Sequence, residues 1–307
     1  MRVLTGALLG LVTACFAQPQ PDRRSDRSVD PSAPSTPIAP LPLQYQKQEF
    51  PKAIAHILRI PQNYTVSVGV ATDLTTVDRF VQKKGAIAGL NAGFFDPING
   101  LSTSYITVLG KQVADPQQND RLIQNPDLQP YLQQIWNRSE FRRYHCQNSS
   151  DQQKSNQKSD RFVYSINYHQ DPVPSHCRVM DAVGAGPQLL PQLTAEREGF
   201  WDAERGRDAI GLHQPNARSA IGLTAQGEVI LVMVEQSQPG GGMTLPQVAQ
   251  LMQQLGALQA LNLDGGTSSA LYRVAGAEKF LHWGKRDAQG EAIGRPVKSV
   301  ILVFNKS

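Results

Sequence analysis

The segment Asn262-Leu263-Asp264-Gly265-Gly266-Thr267-Ser268-Ser269 places a carboxylate, two glycines and three hydroxyls directly after a largely apolar run at 258–261. A carboxylate at the end of a buried strand is fixed by the rigid backbone behind it, and glycines let a ligand approach the main chain. Asp264 is therefore the leading candidate for acid/base or charge-stabilising work. The bland reading is a turn cap, with Gly265 supplying a positive φ. Asn262 before it, and Gly265, Gly266, Thr267 and Ser268 after it, offer amides and hydroxyls suited to phosphate or sugar oxygens.

Two other segments have the same character. Asn91-Ala92-Gly93-Phe94-Phe95-Asp96, closing on Asn99-Gly100, brackets paired aromatics with an amide and a carboxylate. Phe95 could stack on a sugar face while Asn91 and Asp96 bond hydroxyls, although one of the two phenylalanines is expected in the core. Arg218 stands just ahead of an apolar run; its planar, permanent charge matches a phosphate, or else it forms a structural ion pair. Glu235 ends another apolar strand as a second carboxylate or an exposed strand end. Gly186-Pro187 starts a further loop. His213 and His282 stand alone in sequence and read as core or surface residues. No nucleophile elbow, phosphate-binding Walker loop or dinucleotide fingerprint is present, and no Cys/His spacing suggests zinc.

The elements that must carry these residues are mainly strands. Alternation at Tyr64, Val66, Val68 and Val70 predicts a half-buried strand, and 86–90 a buried one that delivers Asn91. A hairpin is expected about Gln226-Gly227. Thr244 as N-cap, Pro246 in the first turn and an apolar stripe through Leu245, Val248, Met252 and Leu255 predict a helix ended by Gly256. With the strand that follows, it makes a β-α-β unit terminating at Asp264. The expected class is α+β: a single domain with a mixed, strand-rich twisted sheet and at least one β-α-β crossover. A short helix is expected within 128–136, and 148–160, rich in Gln, Ser, Asn and Lys, reads as a solvent loop.

Composition bounds the rest. The 307 residues, 40% of them hydrophobic, suffice for one sizeable core. The net charge of +4 is spread without a basic stripe, which argues against nucleic-acid binding. Residues 1–15 read as a signal segment: Arg2, a short apolar run too short to span a bilayer, then Val12-Thr13-Ala14-Cys15. That run resembles a bacterial lipobox, with Cys15 acylated; cleavage after Ala17 of an ordinary secretory signal is the alternative. Either exports the protein. Residues 16–47 read as a Pro/Ser-rich tether, and 48–307 as the domain, with a polar insert at 116–161. Export leaves Cys146 and Cys177 as an even pair expected to form a disulfide.

Asn91-Ala92-Gly93-Phe94-Phe95, Gly184-Ala185-Gly186-Pro187, Arg218-Ser219-Ala220-Ile221-Gly222, Met243-Thr244-Leu245, Asn262 through Ser268 and the closing Arg295-Pro296-Val297 resemble, as an ordered set, the phosphodiester glycosidase family. The resemblance spans roughly 60–305 and implies removal of a sugar from a sugar-1-phosphodiester at the anomeric carbon. It places the family's polar positions on Asn91, Arg218, Asn262 and Asp264. Where the family often has Asp-Gly-Arg, this chain has Glu235-Gln236-Ser237. A phosphomonoester leaves far more readily than a sugar alkoxide, so such a reaction needs positive charge on phosphate, one carboxylate and groups gripping the sugar. Arg218, then Asp264 or Glu235, then Asn91, Asn262 and Thr267 are expected to supply these. No cofactor is required, although an oxygen-rich cluster could hold Ca²⁺. The expected partners are a glycan or sugar-1-phosphodiester in the bacterial envelope and a membrane reached through the lipid anchor. The rival class is a catalytically weak glycan-binding or envelope-maintenance lipoprotein.

Overall fold

A computed structural model describes residues 41–147 and 161–306. The expected signal segment, Cys15 and the part of the expected tether up to residue 40 lie outside the described residues, as does the expected solvent loop at 148–160. The first strand begins earlier than composition suggests: Gln44–Phe50 pairs with Ala53–Ile60 along its whole length. It is an edge strand with several polar residues outward, which explains why it reads as tether.

Strands dominate, and they are distributed over three principal sheets. The first runs in the order Gln44–Phe50, Ala53–Ile60, Val229–Gln236, Arg218–Thr224, Ala257–Asn262, Gln188–Leu190. The second runs Glu278–Trp283, Ala270–Ala275, Ala88–Asn91, Val297–Asn305, Tyr64–Thr75. The third runs Lys111–Ala114, Ile106–Val108, Cys177–Gly184, Ser139–Cys146, Arg161–Tyr168. One core lies where all three meet, containing Leu58, Ile221, Leu231 and Leu261 of the first sheet, Leu90, Leu271 and Ile301 of the second, and Ile106, Phe141 and Val183 of the third.

Each of the first two sheets buries its other face under a helix. Leu245–Gln254 lays Leu245, Val248, Leu251 and Met252 on Ile230, Val232 and Ala260. Its start follows the expected chemistry, with Thr244 and Gln247 forming a reciprocal capping box and Pro246 in the first turn. Val77–Lys84 packs Val77, Phe80 and Val81 against Tyr272, Val300 and Leu302. The α+β class and the crossover agree with the sequence. Val229–Gln236 and Ala257–Asn262 both pair antiparallel to Arg218–Thr224, so the helix between them carries the chain over that strand.

The expected polar insert differs most. Its segment Ser139–Cys146 is an inner strand of the third sheet, with Phe141 and Tyr144 buried. The sequence Glu-Phe-Arg-Arg-Tyr looks solvated, but its charges are matched internally. Arg142 Nε lies 2.6 Å from Glu140 Oε1, and Arg143 Nε 2.7 Å from Asp181 Oδ2. The helix expected within 128–136 is a 3₁₀ turn, Gln129–Tyr131, followed by Leu132–Trp136. Cys146 and Cys177 are directly opposed on neighbouring strands and are disulfide-bonded.

Candidate active site

Asp264, Asn91 and the turn after Asp264 come together where the first and second sheets touch, whereas Glu235 and Asp96 are engaged elsewhere. Ala257–Asn262 ends, Leu263 N donates to Ser219 O, and Asp264 N crosses to Ala92 O at 2.8 Å. Asn91, fully buried, locks this seam. Its Nδ2 donates to Asp264 O at 2.6 Å, and its Oδ1 accepts from Ser219 Oγ at 2.6 Å and Ala270 N at 3.1 Å. Four segments are thereby held by one amide. Gly93 is needed here because a Cβ would lie 2.6 Å from Gly184 O, so the turn of aromatics packs directly on the third sheet.

Asp264 is 8% exposed. Burial raises its carboxyl above the ordinary range, against the opposing pull of Ser268, Arg295 and the Gly265 amide. The turn Gly266–Ser268 follows, with Gly266 at φ +61°, a left-handed conformation that favours glycine. Arg295 closes the group. Its Nε donates to Ser268 Oγ at 2.8 Å, its Nη2 stands 3.5 Å from Asp264 Oδ2, and its guanidinium lies 4.7 Å from the centre of the Phe95 ring. About a third of that side chain remains exposed. The Thr267 carbonyl accepts from the Arg295 backbone N–H. A buried carboxylate, a hydroxyl and a partly exposed guanidinium over an aromatic face thus occur together.

Arg218 is placed differently from the phosphate-facing position expected of it. Of its five donor hydrogens, four go to backbone carbonyls: Met243 O, Ile210 O, Gly211 O and Gln214 O. Burial lowers its pKa to about 10, which leaves it charged at neutral pH. It clamps the 210–214 loop onto the strand end beside the site. Glu235 is committed as well, with Oε2 2.8 Å from His56 Nε2 and Oε1 paired with Arg286. Burial pushes its pKa up, but His56 and Arg286 together more than offset this and hold it below the usual carboxylate value. Asp96 caps its own turn through Ile98 N and pairs with Arg121 at 2.7 Å.

Asn262 joins the Gly186 loop. Its Nδ2 donates to Gly186 O at 2.7 Å, while its buried Oδ1 has no partner. Beside Gly186 lies a carboxylate that sequence reasoning missed. Glu198 is 1% exposed and accepts from Ser139 N, Ser139 Oγ, Gln188 N and Thr194 Oγ1. A Cβ on Gly186 would collide with Glu198 Oε2. Arg138 donates to the Glu198 carbonyl and covers the Phe200 ring at 3.7 Å, and Phe200 in turn packs on Phe94. Nothing in the run Glu196-Arg197-Glu198 distinguishes the buried acid from its neighbour. Arg295 was visible only as part of the closing Arg-Pro-Val motif. A cleft of about 710 Å³ is lined by Gln62, Tyr64, Phe162, Leu258 and neighbours, and none of the predicted site residues lines it.

His56, Glu235 and His282 form a group able to coordinate a metal ion, each offering one ligand atom within 4.8 Å of the others. The cluster thus contains one of the predicted carboxylates, Glu235, with imidazoles on two other strands. It corrects the reading of His282 as isolated, since His56 is 226 positions away in sequence and reaches it through the packing of two sheets.

With this geometry in view, the comparisons with known proteins are decisive at the level of family. The phosphodiester glycosidase family model matches residues 84–304, more than half of the chain. The chain belongs to the phosphodiester glycosidase family. Among solved structures of the same fold, the catalytic domain of zebrafish N-acetylglucosamine-1-phosphodiester alpha-N-acetylglucosaminidase, auto-inhibited by its pro-peptide, is 15% identical with a TM-score of 0.59. The match covers 86% of this chain and 82% of that one. A hypothetical protein from Synechocystis is 19% identical with a TM-score of 0.52, covering 86% of this chain and 62% of that one. The chain therefore spans about three-fifths of the length of the Synechocystis protein. No curated protein matches the sequence.

Proposed function

We propose that this chain hydrolyses a sugar-1-phosphodiester at the anomeric carbon, releasing free sugar and a phosphomonoester. The observation that carries this reading is the pairing of the buried Asp264 with the partly exposed Arg295 over Phe95. Water adds to C1 as the C1–O bond to phosphate breaks. The electron pair leaves on the phosphate oxygen, and the proton of the attacking water passes to the Asp264 carboxylate. Arg295, with donors left free beyond Ser268 and Asp264, meets the charge developing on phosphate. Ser268 orients that guanidinium. We assign the phosphate to Arg295 in preference to Arg218, because the Arg218 donors are already on carbonyls, and we assign the base to Asp264 in preference to Glu235.

Asn91 then acts by positioning Asp264, and Gly186, Asn262, Gly265, Gly266 and Thr267 border the sugar side. We assign the protein to the bacterial envelope, anchored through an acylated Cys15; the disulfide supports an oxidising compartment. The test is a panel of sugar-1-phosphodiesters with identification of products. Free sugar with phosphomonoester supports C–O cleavage, whereas sugar phosphate would indicate attack at phosphorus. Saturable glycan binding without turnover would favour the glycan-binding lipoprotein, a reading to which the engaged Glu235 lends weight.

A further inference from the structure

The His56–Glu235–His282 group lies outside the Asp264 chemistry, and the glycosidase reading gives it no work to do. His56 and Glu235 sit on neighbouring strands of the first sheet. Glu235 is opposite Ile54, so His56 is its diagonal neighbour on the same face. His282 comes from the edge strand of the second sheet, opposite Leu271. Three strands from two sheets thus converge their nitrogen and oxygen donors on one interior point. The imidazoles lie with centroids 4.1 Å apart, and His56 is 2% exposed.

Two further features separate this from a chance meeting of polar side chains. The ligand atoms have outer partners of the kind that orient metal ligands: Tyr45 Oη lies 2.8 Å from His56 Nδ1, and Arg286 holds the second oxygen of Glu235. His282 Nε2, by contrast, is buried with no hydrogen-bond partner. A buried imidazole nitrogen without a partner is costly unless something else satisfies it.

We propose that His56, Glu235 and His282 bind a divalent first-row transition cation of the zinc type, which ties the first sheet to the second. Two imidazoles and one carboxylate make a set of borderline softness, matched to such an ion better than to Ca²⁺, which takes six or more oxygens. For His56 to ligate through Nε2, its proton must reside on Nδ1 and be donated to Tyr45 Oη. The 2.8 Å contact already provides for that tautomer. The ion would replace the Nε2–H···Oε2 hydrogen bond by two metal–ligand bonds and give His282 a partner. Three protein ligands leave a fourth position for water. The nearby Arg286, and Arg273 stacked 3.8 Å over Tyr45, oppose the added positive charge and moderate the affinity.

The probes are the metals alone, added to the full chain after removal of bound metal by chelator. Co²⁺ should bind with a stoichiometry of one and give the visible absorption of a four-coordinate nitrogen/oxygen site. Zn²⁺ should displace it and raise the melting temperature in a concentration-dependent way, while equimolar Ca²⁺ should leave it unchanged. His282→Gln should abolish the Co²⁺ spectrum in a protein whose circular dichroism is unchanged. Tyr45→Phe, which keeps the ring and removes the hydroxyl, should weaken binding by about 10–100-fold. The proposal is overturned if the folded protein binds no stoichiometric Co²⁺, or if binding survives intact in both His282→Gln and His56→Gln. A response to Ca²⁺ equal to that to Zn²⁺ would also overturn it. None of these readouts depends on turnover, so failure of the glycosidase reading would leave the metal test standing.

Discussion

Asp264 and Arg218 show how differently two polar residues at strand ends are used. Because burial raises the Asp264 carboxyl, the folded state holds that proton to higher pH than the unfolded chain. Its contribution to stability is full below the ordinary carboxylate value and is lost as pH rises through the raised folded one. Asp264→Asn removes that loss. Above this window the variant should melt no lower than the parent, while turnover falls by about 10²–10⁴. Calorimetry across pH beside product release checks both halves, and near-parental turnover in the folded variant would refute the assignment. Arg218→Ala should behave in the opposite sense. It strands four carbonyl acceptors, so a loss of at least roughly 1–3 kcal/mol is expected by denaturant titration. Arg295→Ala, cut from a partly exposed pair, should change stability by no more than about 1 kcal/mol. Its loss of turnover should be on the order of 10²–10³. Residue types alone could nominate both arginines for phosphate. What distinguishes them is the set of loop carbonyls at 210–214 and 243, whose convergence on Arg218 depends on tertiary packing.

At the scale of elements, legibility followed locality. The hairpin at Gln226-Gly227, the capped helix Leu245–Gln254 and the strand carrying Asn262 were readable because periodicity, capping and turn chemistry act within a few residues. The strand Ser139–Cys146 was not, because the ion pairs that let its charges be buried reach as far as Asp181. Glu198 and the His56–His282 pairing were invisible for the same reason. Glycines give a sharper test of how tightly these elements approach. At Gly93 an added Cβ would stand 2.6 Å from the Gly184 carbonyl, part of a strand that cannot give way locally. At Gly222 its shortest contact would be with the terminal methyl of Met252, the far end of a flexible side chain, with the Ala257 Cβ at 3.0 Å and the Gln259 carbonyl at 3.3 Å behind it. Gly93→Ala should therefore lower the melting temperature more than Gly222→Ala, and it should also reduce turnover, since its turn carries Phe95 beneath Arg295. Equal effects on both measurements would show that the seam between second and third sheets is softer than its geometry implies.

At the scale of the molecule, the third sheet links the disulfide to the site through one strand. Cys177 begins Cys177–Gly184 and Gly184 ends it, next to the loop whose Gly186 bonds Asn262. Seven strand steps separate those ends, roughly 23 Å at the usual rise per residue. The disulfide therefore belongs to the far margin of the sheet, where it links two residues 31 positions apart in sequence. Loop-closure arithmetic gives such a link about 3–4 kcal/mol. The proposed catalytic group, in contrast, is held by Asn91 and by crossings between the first two sheets that do not pass through the disulfide. Stability and turnover should thus separate. Cys146→Ser with Cys177→Ser should lower the melting temperature by several degrees. Turnover on a sugar-1-phosphodiester, measured well below that temperature, should stay within about twofold of the parent. Melting curves and initial rates on the same preparations decide the matter. A variant with unchanged melting but depressed turnover would mean that strain travels the length of Cys177–Gly184 into the Gly186 loop, and that the third sheet is part of the catalytic apparatus.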